Sequence, residues 1–299
     1  MKNLNFVKKF PIFGAIATVF CIVGLLAVAL LPFGVNWFNL DIDFVGGTTL
    51  QYNMHKEMTK AEQDNIASIV QGVIGEKVSS IQKAGDAGEE IVIKTKTLDT
   101  DTRDQVFVAL QSAYNIADTD ILSVDNVDPV MGADIRDAAI IAALLAVLLM
   151  LVYIAIRFDF KSGVAAVVAL IHDILVMLSF YVILQIPLNM NFIAAALTIL
   201  GYSINATIVI FDRIRENRKL LRKATFGEIV NTSIHQTFAR SVNTTITTLI
   251  TIVLIIFIGV DSIRYFAMPI TVGIIAGLYS SVCISGPIWS KLMGSEKKQ

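Results

Sequence analysis

The chain has 299 residues, 55% of them hydrophobic, and a net charge of -1 at neutral pH; its mean hydropathy is +0.68. A soluble domain sits at about 45–50% apolar, so the composition excludes a soluble globular protein and indicates an integral membrane protein. Two cysteines far apart, Cys21 and Cys283, give neither a disulfide framework nor a metal-ligand spacing and read as small apolar packing residues.

Six segments approach the ~20 apolar residues that a spanning helix needs. They lie near 10–32, 138–156, 163–185, 191–211, 242–260 and 265–286. The first apolar run, Pro11 to Pro32, is longer than the ~7–15 residues of a signal-peptide core, which predicts a retained anchor. Lys and Arg collect on one side of the predicted spans: Lys2, Lys8 and Lys9 before the first, Arg157 and Lys161 between the second and third, and Arg213 to Lys223 after the fourth. Lys291, Lys297 and Lys298 follow the sixth. By the positive-inside rule both termini are expected in the cytoplasm and the insert 33–135 outside. The expected layout is an anchor over 1–32, an outer domain over 33–135, a five-helix bundle over 136–290 with a basic cytoplasmic link at 212–240, and a tail at 291–299.

The insert is polar and acidic. Alternation of Leu40, Ile42 and Phe44 with Asp41 and Asp43 predicts a strand; Gly46-Gly47 interrupts it, and Thr48–Met54 resumes the extended pattern. Thr59 with Glu62 forms a capping-box signature before a stripe of Ile66, Val70, Val73 and Ile74. Strands over Val78–Lys83 and Glu90–Lys96, joined by a Gly85/Gly88 turn, precede a helix near Asp101–Tyr114 with Val106, Leu110 and Tyr114 inward. A last strand covers Ile121–Val127. The order β-α-β-β-α-β predicts a ferredoxin-like α+β unit. No nucleophile pattern accompanies His55, so the domain is expected to bind or support rather than catalyse.

The third span carries His172 and Asp173 side by side near its middle. An Asp at that depth costs roughly 2.5–3.5 kcal/mol on insertion scales, and such residues usually line an ion or proton path; packing specificity is the plainer alternative. In the fourth span Ser203 and Thr207 share one face and Asn205 lies roughly opposite, suited to an interhelical hydrogen bond or to a water-filled path. Arg240 opens a Thr-rich face of Thr244, Thr247, Thr248 and Thr251; at the edge of a span, snorkelling to headgroups is its simple role. Thr225 and Glu228 form a second capping box, and Ile229, Ile234 and Phe238 suggest an amphipathic helix on the membrane surface. Gly273 and Gly277 are a small-xxx-small pair for close helix approach. Gly46, Gly47, Pro129 and Gly132 flank the insert as tight turns or hinges. No Walker A loop is present, so ATP is not a direct fuel, and the basic link is too short and too close to the membrane for a nucleic-acid site.

Five motifs occur in order: Asp41-Ile-Asp43-Phe-Val-Gly46-Gly47-Thr48; Val127-Asp128-Pro129-Val-Met-Gly132; Ala169-Leu-Ile-His172-Asp173; Gly201-Tyr-Ser-Ile-Asn205 running on to Phe211-Asp212-Arg213-Ile-Arg215-Glu216-Asn217; and Arg240-Ser-Val-Asn243-Thr-Thr245. Together with six spans and one outer domain they resemble the SecF branch of the SecD/SecF protein-export family, in the resistance-nodulation-division superfamily. The resemblance implies a subunit without catalysis or cofactor in the cytoplasmic membrane. It would use the proton gradient to help draw unfolded exported polypeptides through the SecYEG channel, paired with a SecD-type subunit. It also implies that Arg240 belongs to the transmembrane proton site as a counter-charge. One departure stands out: members of the family commonly carry Asp directly after the Asn of the fourth-span motif, and here that place is Ala206. The change either disables coupling or moves it onto Asp173 and the partner. Half of a proton-coupled small-molecule or lipid efflux pump, or a non-conducting assembly factor, are the competing readings.

Overall fold

A computed structural model describes residues 4–85, 88–259 and 261–294. Lys2, the Asp86-Ala87 pair of the Gly85/Gly88 turn, and Lys297 and Lys298 of the tail lie outside them. Helix α1, Phe10–Leu30, buries a stripe of small residues, Ala17, Cys21, Gly24 and Ala27. A side chain at Gly24 would collide with the Leu175 carbonyl oxygen, so glycine there lets the neighbouring helix come close.

The predicted strand at Leu40–Phe44 does not form. Leu40 makes a single bridge to Leu188, and Ile42–Val45 is one helical turn, α2, capped by Asp41 through its side chain and closed by Gly46 at φ +80°. The alternation misled because Ile42 and Phe44 are buried from a turn that docks onto the following spans rather than from a pleated strand. The capping Asp supplies a local hydrogen bond that competes with extension.

Four strands follow among the helices: β1 Gly47–Asn53, α3 Lys60–Ile74, β2 Ser80–Ala84, β3 Glu90–Thr95, α4 Thr100–Tyr114 and β4 Ile121–Val127. The sheet runs β2-β3-β1-β4, and every neighbouring pair is antiparallel. The Thr59–Glu62 capping box starts α3. Ile66, Val70, Val106 and Leu110 close over Leu50, Ile91 and Ile93 in one core, as the two periodicities of helix and strand require.

The remaining chain is a bundle. Helix α5 is Pro129–Arg157, α6 Phe160–Leu184, α7 Met190–Leu220 and α8 Phe226–Ile258. Helix α9, Asp261–Ser280, passes through a wide turn at Ser281–Ser285 into α10, Gly286–Met293. Asp128, Asp159, Asn189 and Thr225 cap α5 to α8, each accepting a backbone N–H with its side chain, which satisfies donors left over at a helix start. Among the described residues six helices are long and apolar enough to cross a membrane, and they coincide with the six predicted spans. Several outrun them: α5 starts at Pro129, not near 138, and α7 runs to Leu220.

The separate surface helix expected around Ile229–Phe238 is instead the first part of continuous α8. Ile229, Val230 and Ile234 are buried in one cluster with Phe6, Phe211 and Trp289. The apolar stripe is covered by α10 and the N-terminal segment, an arrangement that no local pattern announces.

Candidate functional site

Asp173 is completely buried where α6, α7 and α9 meet. Its Oδ2 accepts from Ser203 Oγ of α7 at 2.5 Å and from Ser280 Oγ of α9 at 2.9 Å. Its Oδ1 lies 3.0 Å from His172 Nδ1. The helices come this close because α9 presents glycines: a Cβ on Gly273 would sit 2.6 Å from Ile199, and one on Gly277 3.1 Å from the Ser203 Cβ. A second polar string continues from the first. Thr207 Oγ1 and Ser281 Oγ are 2.9 Å apart, and Ser285 Oγ donates to the Ser281 carbonyl at 2.8 Å.

His172 points away from this interior. Its ring stacks on Tyr279 with centroids 5.7 Å apart, and the Tyr279 hydroxyl donates to the Phe13 carbonyl of α1 at 2.6 Å. Cys21 Sγ lies 3.6 Å from the His172 carbonyl, a packing position for that thiol. The two neighbours therefore face different surroundings, linked only by the Nδ1 contact. Hydroxyls rotate to donate or accept, so Ser203 and Ser280 can satisfy Asp173 both as carboxylate and as carboxylic acid.

Asn205, Ala206 and Arg240 come together at a second place. They line a pocket of about 100 Å³ between α7 and α8, with Tyr202 and Thr244. Asn205 is exposed on the face of α7 turned away from Ser203 and Thr207, which are buried, and Arg240 is exposed on α8. Thr244, Thr247, Thr248 and Thr251 donate to carbonyls of their own helix.

At the far end of the bundle from the sheet, Asp212 pairs with Arg157 at 3.4 Å, and Arg213 donates to Gln236 at 2.6 Å and to Glu216 at 2.5 Å. Arg215 is exposed. Asn217 donates to Ser233 and Gln236, tying α7 to α8. At the sheet end, Gly47 has φ +156° and Gly132 lies so close to α2 that a Cβ would sit 2.9 Å from the Phe44 carbonyl carbon. Pro129 is the first residue of α5. Asp41 pairs with Lys94 of β3 at 2.9 Å, its N–H donates to the Leu188 carbonyl at 3.0 Å, and Asp43 Oδ2 accepts from Met190 N at 3.0 Å. The segment 39–43 thus clasps the sheet and the α6–α7 connection at once. Sequence reasoning missed Ser280, Ser281, Tyr279 and this clasp. A serine pair within an apolar run was the available signal for the first two.

No group of three or more His, Cys, Asp or Glu suited to a metal occurs among the described residues.

Six spanning-length helices, a four-stranded sheet unit after the first and a polar cluster buried between three of them, all among the described residues, define a multi-pass membrane protein. A profile of the family "Protein export membrane protein SecD/SecF, C-terminal" matches residues 107–295. The chain is 34% identical over its full length to the protein translocase subunit SecF of Petrotoga mobilis, covering 99% of that protein, and 34% identical to SecF of Alicyclobacillus acidocaldarius over 94% of the chain and 92% of that protein. The crystal structure of SecDF, a translocon-associated membrane protein from Thermus thermophilus, superposes with a TM-score of 0.81 at 32% identity, over 97% of this chain and 38% of that one. The chain belongs to the SecF family of protein translocase subunits.

Proposed function

We propose that this chain is the SecF half of a proton-driven accessory to Sec export, working with a SecD-type subunit to pull or release unfolded polypeptide emerging from SecYEG. The observation that carries the coupling is the Asp173 cage: a carboxyl group held by groups from α6, α7 and α9, able to be satisfied with or without its proton. An intramembrane ionisable residue in such a place is a proton-path residue by default. The clasp at 39–43 gives a mechanical link, since α6 and α7 join at the loop that holds it.

The partner reading rests on two supports. The relative named SecDF is matched over 87% of this chain but only 35% of its own length, which leaves room for a second half. The α7–α8 face with Asn205 and Arg240 exposes a cation and polar groups from spanning helices, a surface suited to an acid on another membrane helix. Ala206 sits in that same pocket, so the carboxylate missing from the family motif would have stood beside Arg240. In this reading Asp173 and the partner carry the coupling instead.

We place the chain in the cytoplasmic membrane with both ends in the cytoplasm, residues 33–135 outside as a ferredoxin-like domain, 136–290 as the bundle with its basic link 212–240, and 1–32 and 291–299 as anchor and tail. The clustering of Lys and Arg at one end of the spans supports this orientation. Gly47 and Gly132 serve in it as close-approach points at the joint rather than as free swivels, Gly46 as the positive-φ end of α2, and Pro129 as a rigid start to α5. Of the Asp212–Arg213–Arg215 motif, Arg213 ties the cytoplasmic ends of α7 and α8 through Gln236, Asp212 ties α7 to α5 through Arg157, and Arg215 is exposed.

The test is export of a secreted protein into inverted vesicles that hold the chain with its SecD-type subunit and SecYEG, with the gradient intact or collapsed. Stimulation that needs both the chain and the gradient supports the reading; equal export with and without the chain rejects it.

A further inference from the structure

A cavity of about 590 Å³ opens among α1, α6 and α9, away from the Asn205–Arg240 pocket. Ligand sites run to about 300–1,000 Å³, mostly apolar with a few polar groups, and this one fits that description: apolar walls, with His172, Ser179 and Tyr279 as its polar points. Its rim residues Val19, Phe20, Ile183 and Ile275 are each more than half exposed, so the cavity is continuous with the outer surface of spanning helices.

Its dimensions select the occupant. From His172, near the middle of α6, to Ile183, near the end, the lining rises about 16 Å at 1.5 Å per residue. One leaflet of a bilayer is about 15 Å deep, half of the ~30 Å hydrocarbon core. A partner helix, about 10–12 Å across with its side chains, is the competing occupant. The lining lacks a small-xxx-small surface facing outward, the pattern by which membrane helices come close: Gly24, Gly273 and Gly277 are spent on contacts within the bundle.

We propose that the α1–α6–α9 groove is a binding site for a single acyl chain of a membrane lipid, entering from the leaflet on the sheet side and ending against the His172–Tyr279 stack. The chain end covers the small exposed edge of His172, whose side chain is 8% exposed. It thereby keeps the outer face of the Asp173 cage dry. The binding claim stands apart from the export reading and holds whether or not the cage carries protons.

The test uses the full chain in vesicles of phosphatidylethanolamine and phosphatidylglycerol, doped with a phosphatidylcholine that carries a diazirine near the end of one acyl chain. After illumination, adducts are mapped by mass spectrometry. The expected result is several-fold enrichment on α6 and α9 around His172 and Tyr279 relative to Leu144 and Leu148, which are exposed on α5. Filling the groove with Val176→Trp should abolish that enrichment and leave α5 labelling unchanged. Val176→Phe, a gentler filling, should reduce it and decides the matter if the Trp variant does not fold. Labelling in the groove no greater than on α5, or surviving both substitutions, overturns the proposal. So does a cysteine placed at Ile275 that cross-links to another membrane protein in native membranes while the groove takes no lipid label, because a partner span would then be the occupant.

Discussion

Ser203 Oγ lies 2.5 Å from Asp173 Oδ2, so a hydroxyl of α7 is held by the buried acid of α6. Hydrogen bonds to charged or polar buried groups contribute about 1–3 kcal/mol, and an abandoned partner adds its desolvation cost. Ser203→Ala should therefore lower stability by about 1–3 kcal/mol. Asn205→Ala, two residues along on the exposed face, should stay within about 0.5 kcal/mol. Thermal unfolding of the purified protein in one detergent distinguishes the two; equal effects would mean that the cage does not hold α7.

Gly277 faces Ser203 at a distance that leaves little room for a side chain. Gly277→Leu should force α9 from α7, at a cost of about 1–3 kcal/mol or more, and should separate Ser280 from Asp173. Gly14, with nothing within 4 Å of its Cβ position, is the control: Gly14→Ala should be neutral or slightly stabilising, since alanine is the better helix former. Unfolding temperatures measure both.

At the sheet end, the Asp41 side chain is fully buried and that of Lys94 is 14% exposed. Removing one partner of a buried pair costs about 3–5 kcal/mol because the other charge is left uncompensated. Lys94→Met should loosen the clasp at 39–43 more than the double change Asp41→Asn/Lys94→Met, which removes both charges. Amide exchange of the peptide covering 39–46 should rise from wild type to the double variant and be highest in Lys94→Met. Exchange that is the same in all three proteins would remove the clasp as a structural link.

Acid should weaken the sheet domain before the bundle. The Asp120 carboxyl is held below its usual range, first by the Ala117 N–H and then by His55. Asp99 is held low by Thr102. A folded-state pKa below the unfolded one means stability that is present above the ordinary Asp value of about 3.9 and lost as pH falls through the folded value. Asp120→Asn should flatten that acid loss. Amide exchange of the β4 peptide, compared between wild type and variant at each pH so that intrinsic rates cancel, reads the difference.

The sequence carried most of the architecture because the spans and the sheet unit are local patterns. Hydropathy located all six spans, and the Ile121–Val127 strand and the Thr59 cap appear as read. The misreadings came where tertiary contact overrode local pattern. Leu40–Phe44 alternates like a strand, yet Asp41 caps a turn that docks against Gly132. The stripe Ile229–Phe238 looks like a membrane-surface face, yet α10 returns to cover it. At the site, His172, Asp173, Asn205 and Arg240 were all visible as polar residues in apolar runs. Their sorting into two separate places, Asp173 inward with Ser280 and Asn205 outward with Arg240, was not. That depends on which side of α7 meets α9, and Gly273 and Gly277 signal close approach without naming the neighbour.

The most direct measurement is gradient-dependent export into inverted vesicles by three proteins: the chain itself, Asp173→Asn and Ala206→Asp, each with the SecD-type subunit. The account predicts that the chain itself responds to the gradient, that Asp173→Asn loses the response while remaining folded, and that Ala206→Asp is not needed for it. If Asp173→Asn exports at the full gradient-stimulated rate, or if only Ala206→Asp responds to the gradient, the acid in the α6–α7–α9 cage is not where coupling occurs.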